Sequence, residues 1–93
     1  MNITTKTGSK YTVKDGHFSR NGGISWRIQE IFFFDRNAMG NVSSFDDFYD
    51  LIYLDAIQKM DKPSVGLSMY VSSSDGWYIS TRIISINEES DND

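Results

Sequence analysis

Three aromatic and three basic side chains are the residues whose types could bind a small ligand or a nucleotide. Trp77 and Tyr78 follow the turn dipeptide Asp75-Gly76, and Trp26 lies in a long apolar stretch. Aromatic rings stack on the faces of bases, and Lys or Arg side chains neutralise phosphates. One hypothesis is therefore a ligand-binding or nucleotide-binding module that uses Lys10, Lys14, Trp26, Arg27, Trp77 and Tyr78.

The segment 45–60 offers a different kind of site, an apolar surface for another protein. Its helical spacing leaves a second apolar stripe of Leu51, Leu54 and Ile57 beside the stripe that would pack on a sheet. This second stripe must contact the 32–43 loop or the last strand, a sister subunit in a homodimer, or a foreign protein. The leading hypothesis is a protein-binding face, rimmed by carboxylates that suit a basic partner. Its predicted residues are Asp47, Asp50, Leu51, Leu54, Ile57 and Gln58.

The residue types leave little for catalysis. The chain has no cysteine and one histidine, His17, which excludes disulfides, thiolate zinc sites and sites with several histidines. No Gly-x-Ser-x-Gly nucleophile motif is present. We therefore expect a non-enzymatic domain with no catalytic residues, no cofactor and no metal.

Charge is distributed unevenly along the chain. The formal net charge is −4, from nine bases and thirteen acids. Four of the acids lie in the last seven residues, 87–93, so the nine acids of the body balance its nine bases. The segment 87–93 is predicted to be a disordered acidic tail. A sequence pI near 4.7 disfavours nucleic acid as the partner.

The elements that would position these residues begin as β-structure. Two strands, at 3–6 and 10–14, flank a short loop around Gly8. The dipeptide Asp15-Gly16 predicts a tight hairpin turn to a third strand at 17–20. A long strand over 24–34 needs a bulge near Gln29 and Glu30 to keep its apolar residues facing inward. Alternatively, the run of phenylalanines at 32–34 is buried on both faces.

The second half is predicted as a helix and a hairpin. The helix would run over 45–60, with acids in its first turn. Alternating strands at 65–72 and 77–86 would pair around Asp75-Gly76. The expected fold is therefore α+β: an antiparallel twisted sheet or open barrel in the order β-β-β-β-α-β-β, with one helix packed across it. Residues 1–86 would form a single domain.

Targeting signals are not evident in the sequence. No apolar run approaches the roughly 20 residues of a membrane span. The first residues, Met-Asn-Ile-Thr-Thr-Lys, do not form a signal peptide. We therefore expect a cytoplasmic protein that makes no membrane contact.

Several short stretches carry a family resemblance across most of the chain. These stretches are Gly8-Ser9-Lys10-Tyr11, Trp26-Arg27-Ile28, Gly40-Asn41-Val42-Ser43-Ser44-Phe45-Asp46-Asp47 and Asp75-Gly76-Trp77-Tyr78-Ile79-Ser80-Thr81. Together they resemble small accessory proteins carried by bacteriophages of actinobacteria. The resemblance implies a viral protein in the host cytoplasm, with a host or phage protein as its partner. It also implies an inhibitor that acts by blocking a host protein.

Overall fold

The computed structural model describes residues 1–39, 50 and 57–88. Within the two longer segments the chain forms eight strands and one 3₁₀ turn at Arg36–Met39. The strands are β1 Asn2–Thr5, β2 Lys10–Lys14, β3 His17–Arg20, β4 Trp26–Arg27, β5 Glu30–Phe34, β6 Ser68–Ser73, β7 Gly76–Ile79 and β8 Ile83–Asn87. They make two antiparallel sheets, with orders β4-β3-β2-β1-β8 and β5-β6-β7.

The two-residue hairpin between β2 and β3 is confirmed. Asp15 and Gly16 have φ angles of 52° and 75°, and Lys14 pairs directly with His17. Positive φ at both central residues matches the right-handed twist of the flanking strands. The sequence pattern therefore sets the register of β2 on β3.

The chain crosses from the first sheet to the second where a bulge was expected. The Ile28 amide donates to the Gly16 carbonyl at 2.8 Å, beside β3 and β4. The next amide, of Gln29, donates to the Ser72 carbonyl at 2.8 Å, beside β6. Consecutive amides thus bond to different sheets, so the long strand expected over 24–34 becomes two strands joined at a corner.

A second corner joins β7 to β8. Ser80 is buried, and its hydroxyl accepts from the Met69 amide at 2.8 Å in place of a backbone carbonyl. Further along, the Arg82 carbonyl accepts from the Lys6 amide at 2.8 Å. The return strand expected over 77–86 is therefore interrupted at 80–82 and divided between the two sheets.

Both sheets contribute to one core. The buried cluster contains Ile3, Tyr11, Phe18 and Ile83 from the first sheet and Phe33, Met69 and Val71 from the second. In β5, Phe32, Phe33 and Phe34 are all buried. The alternative prediction, that this run of phenylalanines is buried on both faces of the strand, is therefore confirmed. Each buried side chain of this size stabilises the fold by about 1.5–3 kcal/mol relative to an exposed one.

The α+β fold class is wrong for the described residues, which are nearly all β. The predicted helix included 57–60, yet Met60 pairs with Phe33 of β5. The Phe33 amide donates to the Met60 carbonyl and the Met60 amide to the Phe33 carbonyl, each at 2.8 Å. The outer edge of β5 needs hydrogen-bond partners, and this bridge supplies two. Residues 45–49 and 51–56 of the predicted helix lie outside the described residues.

Two further boundaries differ from the predictions. Gly66 has a φ of 98°, a left-handed conformation that delays the start of β6 from residue 65 to Ser68. Asn87, the first residue of the predicted acidic tail, pairs with Asn2 at the end of β8. Residues 89–93 of that tail lie outside the described residues.

Candidate functional site

The turn between β6 and β7 presents two aromatic side chains. The Ser73 hydroxyl accepts from the Asp75 amide at 3.2 Å, which folds the chain back at the predicted turn. Trp77 and Tyr78 follow at once in β7, the edge strand of the second sheet. Successive strand residues point to opposite faces, so the two rings leave the strand on different sides.

Tyr78 points toward the core of the first sheet. Its ring meets Phe18 edge-on, with centroids 5.9 Å apart and planes at 78°. The Arg20 guanidinium lies 5.5 Å from the Tyr78 ring centroid, in a cation–π contact. Tyr78 is nevertheless 37% exposed, so one part of the ring is held by the protein and another remains accessible.

Trp77 points to the outer face of the second sheet. The strand registers place Glu30 opposite Ser72 and Ser72 opposite Trp77, which gives a row of three residues across β5, β6 and β7. Ser72 is small, so a depression separates the two larger side chains. Trp77 is 44% exposed, although the sheet beneath it is well packed.

Two depressions share Trp77 as a lining residue. A small cavity of about 150 Å³ is lined by Trp26, Ser73, Asp75, Gly76, Trp77 and Tyr78. An open groove of about 670 Å³ is lined by Gln29, Glu30, Tyr70, Ser72, Ser73, Ser74, Gly76 and Trp77. Ser73, Gly76 and Trp77 line both, and Trp77 is the largest of these three shared residues.

A charged pair extends the outer row. Lys59 Nζ lies 3.8 Å from Glu30 Oε2 and 5.2 Å from the ring centroid of Phe32. Phe32 in turn stacks on Tyr70, with ring centroids 4.9 Å apart. The face that carries Trp77 therefore already holds one cation between an aromatic ring and a carboxylate.

The structure brings together the three aromatic residues of the predicted ligand site. Trp26, Trp77 and Tyr78 come from both sheets and line the small cavity. Their positions could not be read from the sequence, because the contact depends on the corner that joins the two sheets.

The three basic residues of that predicted site lie elsewhere. Lys10 lines a separate groove of about 620 Å³, which also contains Asn2, Ile3, Thr4, Gly8, Tyr11, Thr12, Asn21, Gly22 and Asn87. Lys14 and Arg27 each pair with His17 across the first sheet. Since Arg27 follows Trp26 in β4, the two side chains point to opposite faces.

The structure describes three of the six residues of the predicted protein-binding face, Asp50, Ile57 and Gln58. Ile57, expected to face outward, is 2% exposed, and that expectation is wrong. Asp50 and Gln58 are exposed. Asp47, Leu51 and Leu54 lie outside the described residues.

Sequence reasoning did not assign a role to Ser72 or Glu30 at this site, whereas it did group Arg20 with the basic residues of the predicted ligand site. A signal for Ser72 was available, because the Asp75-Gly76 turn predicts which residues of β6 face those of β7. Glu30 required the pairing of β5 with β6, which joins residues about 40 positions apart and leaves no local pattern.

Comparison of the chain with protein-family models, with curated proteins and with solved structures finds no match. The resemblance to bacteriophage accessory proteins therefore remains a prediction, and the viral, inhibitory and homodimeric expectations gain no support. Within 1–39, 50 and 57–88, no group of three or more His, Asp or Glu side chains is placed to hold a metal ion. No helix of that part of the chain is long and apolar enough to cross a membrane.

Proposed function

We propose that this protein is a non-enzymatic protein-binding domain whose contact surface is the hairpin surface, formed by Trp26, Glu30, Asp75, Trp77 and Tyr78. The observation that carries the proposal is the position of Trp77. Its ring is 44% exposed and lines both a cavity and a groove. A partner could therefore contact the exposed part of the indole from either depression.

The composition of this surface supports a protein partner. Tryptophan, tyrosine and arginine are the residues that contribute most to binding energy at protein interfaces. An indole or phenol ring also supplies a large contact area while only two side-chain torsions are ordered. Tyr78 is already held by Phe18 and Arg20, so little further ordering is needed when a partner binds.

The dimensions of the small cavity beside Trp77 favour a single side chain over a drug-sized ligand. Pockets for drug-sized ligands usually enclose about 300–1,000 Å³, whereas the cavity between Trp26 and Trp77 is about 150 Å³. That volume suits one inserted side chain. The larger groove is open to solvent, which suits an extended segment lying across it.

The first experiment selects binders from a random peptide library displayed on phage, with the full chain as bait. We expect wild-type protein to enrich peptides that bind Trp77→Ser about tenfold more weakly or worse. Val65→Ser is the matched control, because Val65 is 63% exposed and lines neither depression. Binding can be followed by tryptophan fluorescence, since Trp26 and Trp77 both line the cavity.

Two results would contradict the proposal. The first is a selection in which no peptide distinguishes wild-type protein from Trp77→Ser. The second is a rise in Tm with mononucleotides that Trp77→Ser removes, because a ligand that binds only the folded state raises its stability. That second result would instead support the small-ligand hypothesis.

A further inference from the structure

We infer that the hairpin surface recognises a basic side chain, a Lys or Arg of an extended partner segment that stacks on Trp77 between the carboxylates of Glu30 and Asp75. This inference rests on the proposed function, and it specifies the chemistry of the partner.

The first observation is the position of the two carboxylates. Glu30 shares the outer row with Trp77, one strand beyond Ser72. Neighbouring strands lie about 4.8 Å apart, so the Cα atoms of Glu30 and Trp77 are roughly 10 Å apart. A cation over the indole can then reach the Glu30 carboxylate across the small Ser72 side chain.

Asp75 provides a second carboxylate beside Trp77. It lines the small cavity together with Trp77 and Trp26, whereas Glu30 lines the groove. A side chain that crosses Trp77 from one depression to the other would therefore have a carboxylate near each end of its path.

The second observation is the charge of the lining residues. The described residues that line the two depressions include two carboxylates and neither Lys nor Arg. Two cations contact these lining residues from outside the depressions, Lys59 at Glu30 and Arg20 at Tyr78. Complementary charge selects partners and accelerates association, so the two carboxylates that line the depressions favour a basic segment over an acidic one.

The third observation is that the same face already binds a cation in this way. Lys59 Nζ contacts both the Phe32 ring and the Glu30 carboxylate. Both members of the ion pair are partly exposed, and such pairs are weak in water. Glu30 can thus also accept a hydrogen bond from a partner cation.

The experiment uses the peptides selected on the wild-type chain. We expect them to be enriched in Arg or Lys. Replacing the basic residue by citrulline or acetyl-lysine, which removes the charge with little change of shape, should weaken binding about fivefold to tenfold. Glu30→Gln and Asp75→Asn should each weaken binding about threefold.

Salt gives an independent readout. Raising NaCl from about 0.05 M to about 0.5 M shortens the screening length, so it should weaken binding to wild-type protein more than binding to the doubly substituted Glu30→Gln, Asp75→Asn protein. Glu88→Gln is the matched control, because Glu88 is exposed and lines neither depression.

The outcomes separate this inference from the proposed function. If Trp77→Ser abolishes binding while the neutral peptides bind as tightly as the charged ones, the hairpin surface is a binding surface and the basic-residue inference is wrong. If Trp77→Ser leaves binding unchanged, both are wrong. If affinity falls with the neutral peptides and also with Glu30→Gln and Asp75→Asn, the proposed function and the basic-residue inference are both supported.

Discussion

Arg20 connects a buried phenol to an exposed one. Its guanidinium lies over the Tyr78 ring and also interacts with the Tyr11 side chain, which is buried. Burial raises the pKa of Tyr11 above its ordinary value of 10.0, and Arg20 partly offsets this rise. Arg20 therefore orders the Tyr78 ring at the surface and also contacts the buried Tyr11 phenol.

The raised pKa of Tyr11 predicts a loss of stability in alkali. Because the folded state holds the proton more tightly than the unfolded state, this contribution is complete below about pH 10 and is lost as pH rises through the raised pKa. Tyr11→Phe has no proton to release, so its free energy of unfolding should fall less steeply between about pH 9 and about pH 11.

Urea denaturation of both proteins at a series of pH values measures this difference. Tyr11→Phe should lose about 1 kcal/mol at neutral pH, because its contact with Arg20 is removed. Parallel pH profiles for the two proteins would show that Tyr11 ionises equally readily in the folded and unfolded states.

At the scale of the elements, the hairpins depend on a few backbone conformations. Gly16 has a φ of 75°, and a Cβ added there would meet no atom within 4 Å. Gly76 lies in the second hairpin with equally open space but without a left-handed φ. An alanine substitution at either glycine therefore meets no steric obstacle, and only the one at Gly16 places an L-residue at a left-handed φ.

Gly16→Ala should lower the free energy of unfolding by about 1–2 kcal/mol, because an L-residue is strained in the left-handed region. Gly76→Ala should be neutral or stabilising by less than about 1 kcal/mol, since it restricts the unfolded chain and meets no obstacle in the folded one. Chemical denaturation of the two variants measures both values. Equal effects of the two substitutions would indicate that the left-handed φ of Gly16 makes no measurable contribution to the free energy of unfolding.

The elements also show which local patterns were reliable. The strands at 10–14 and 17–20 follow the predicted bounds, because Asp15-Gly16 specifies a turn through its own backbone preference. The predicted helix at 57–60 is wrong, because Met60 forms a β-bridge with Phe33 although its spacing from Ile57 suits a helix. Only the unpaired edge of β5 decides between the bridge and the helix.

At the scale of the whole molecule, the two sheets share one core. At each corner the chain passes directly from one sheet into the other. The apolar faces of the two sheets are buried against each other in this core. Cooperative unfolding is expected where apolar side chains from both parts pack together.

This shared core predicts a single unfolding transition. Trp77 lies in the second sheet and Trp26 in the first, so Trp26→Phe and Trp77→Phe each leave one fluorescent reporter for one sheet. The two proteins should unfold in one step with fluorescence and circular dichroism transitions that coincide. Within either variant, a fluorescence midpoint separated from the circular dichroism midpoint would show that the sheets unfold independently.

The sequence by itself determined the β-hairpins, the apolar strands and the exclusion of cysteine chemistry, because these depend on residue identity and on backbone preferences within a few positions. The tertiary structure alone decided the two corners and the pairing of Met60 with β5. It also placed Trp26, Trp77, Tyr78 and Glu30 on one surface. These features join residues far apart in the chain, and their free energy comes from burying a common core, which no local pattern encodes.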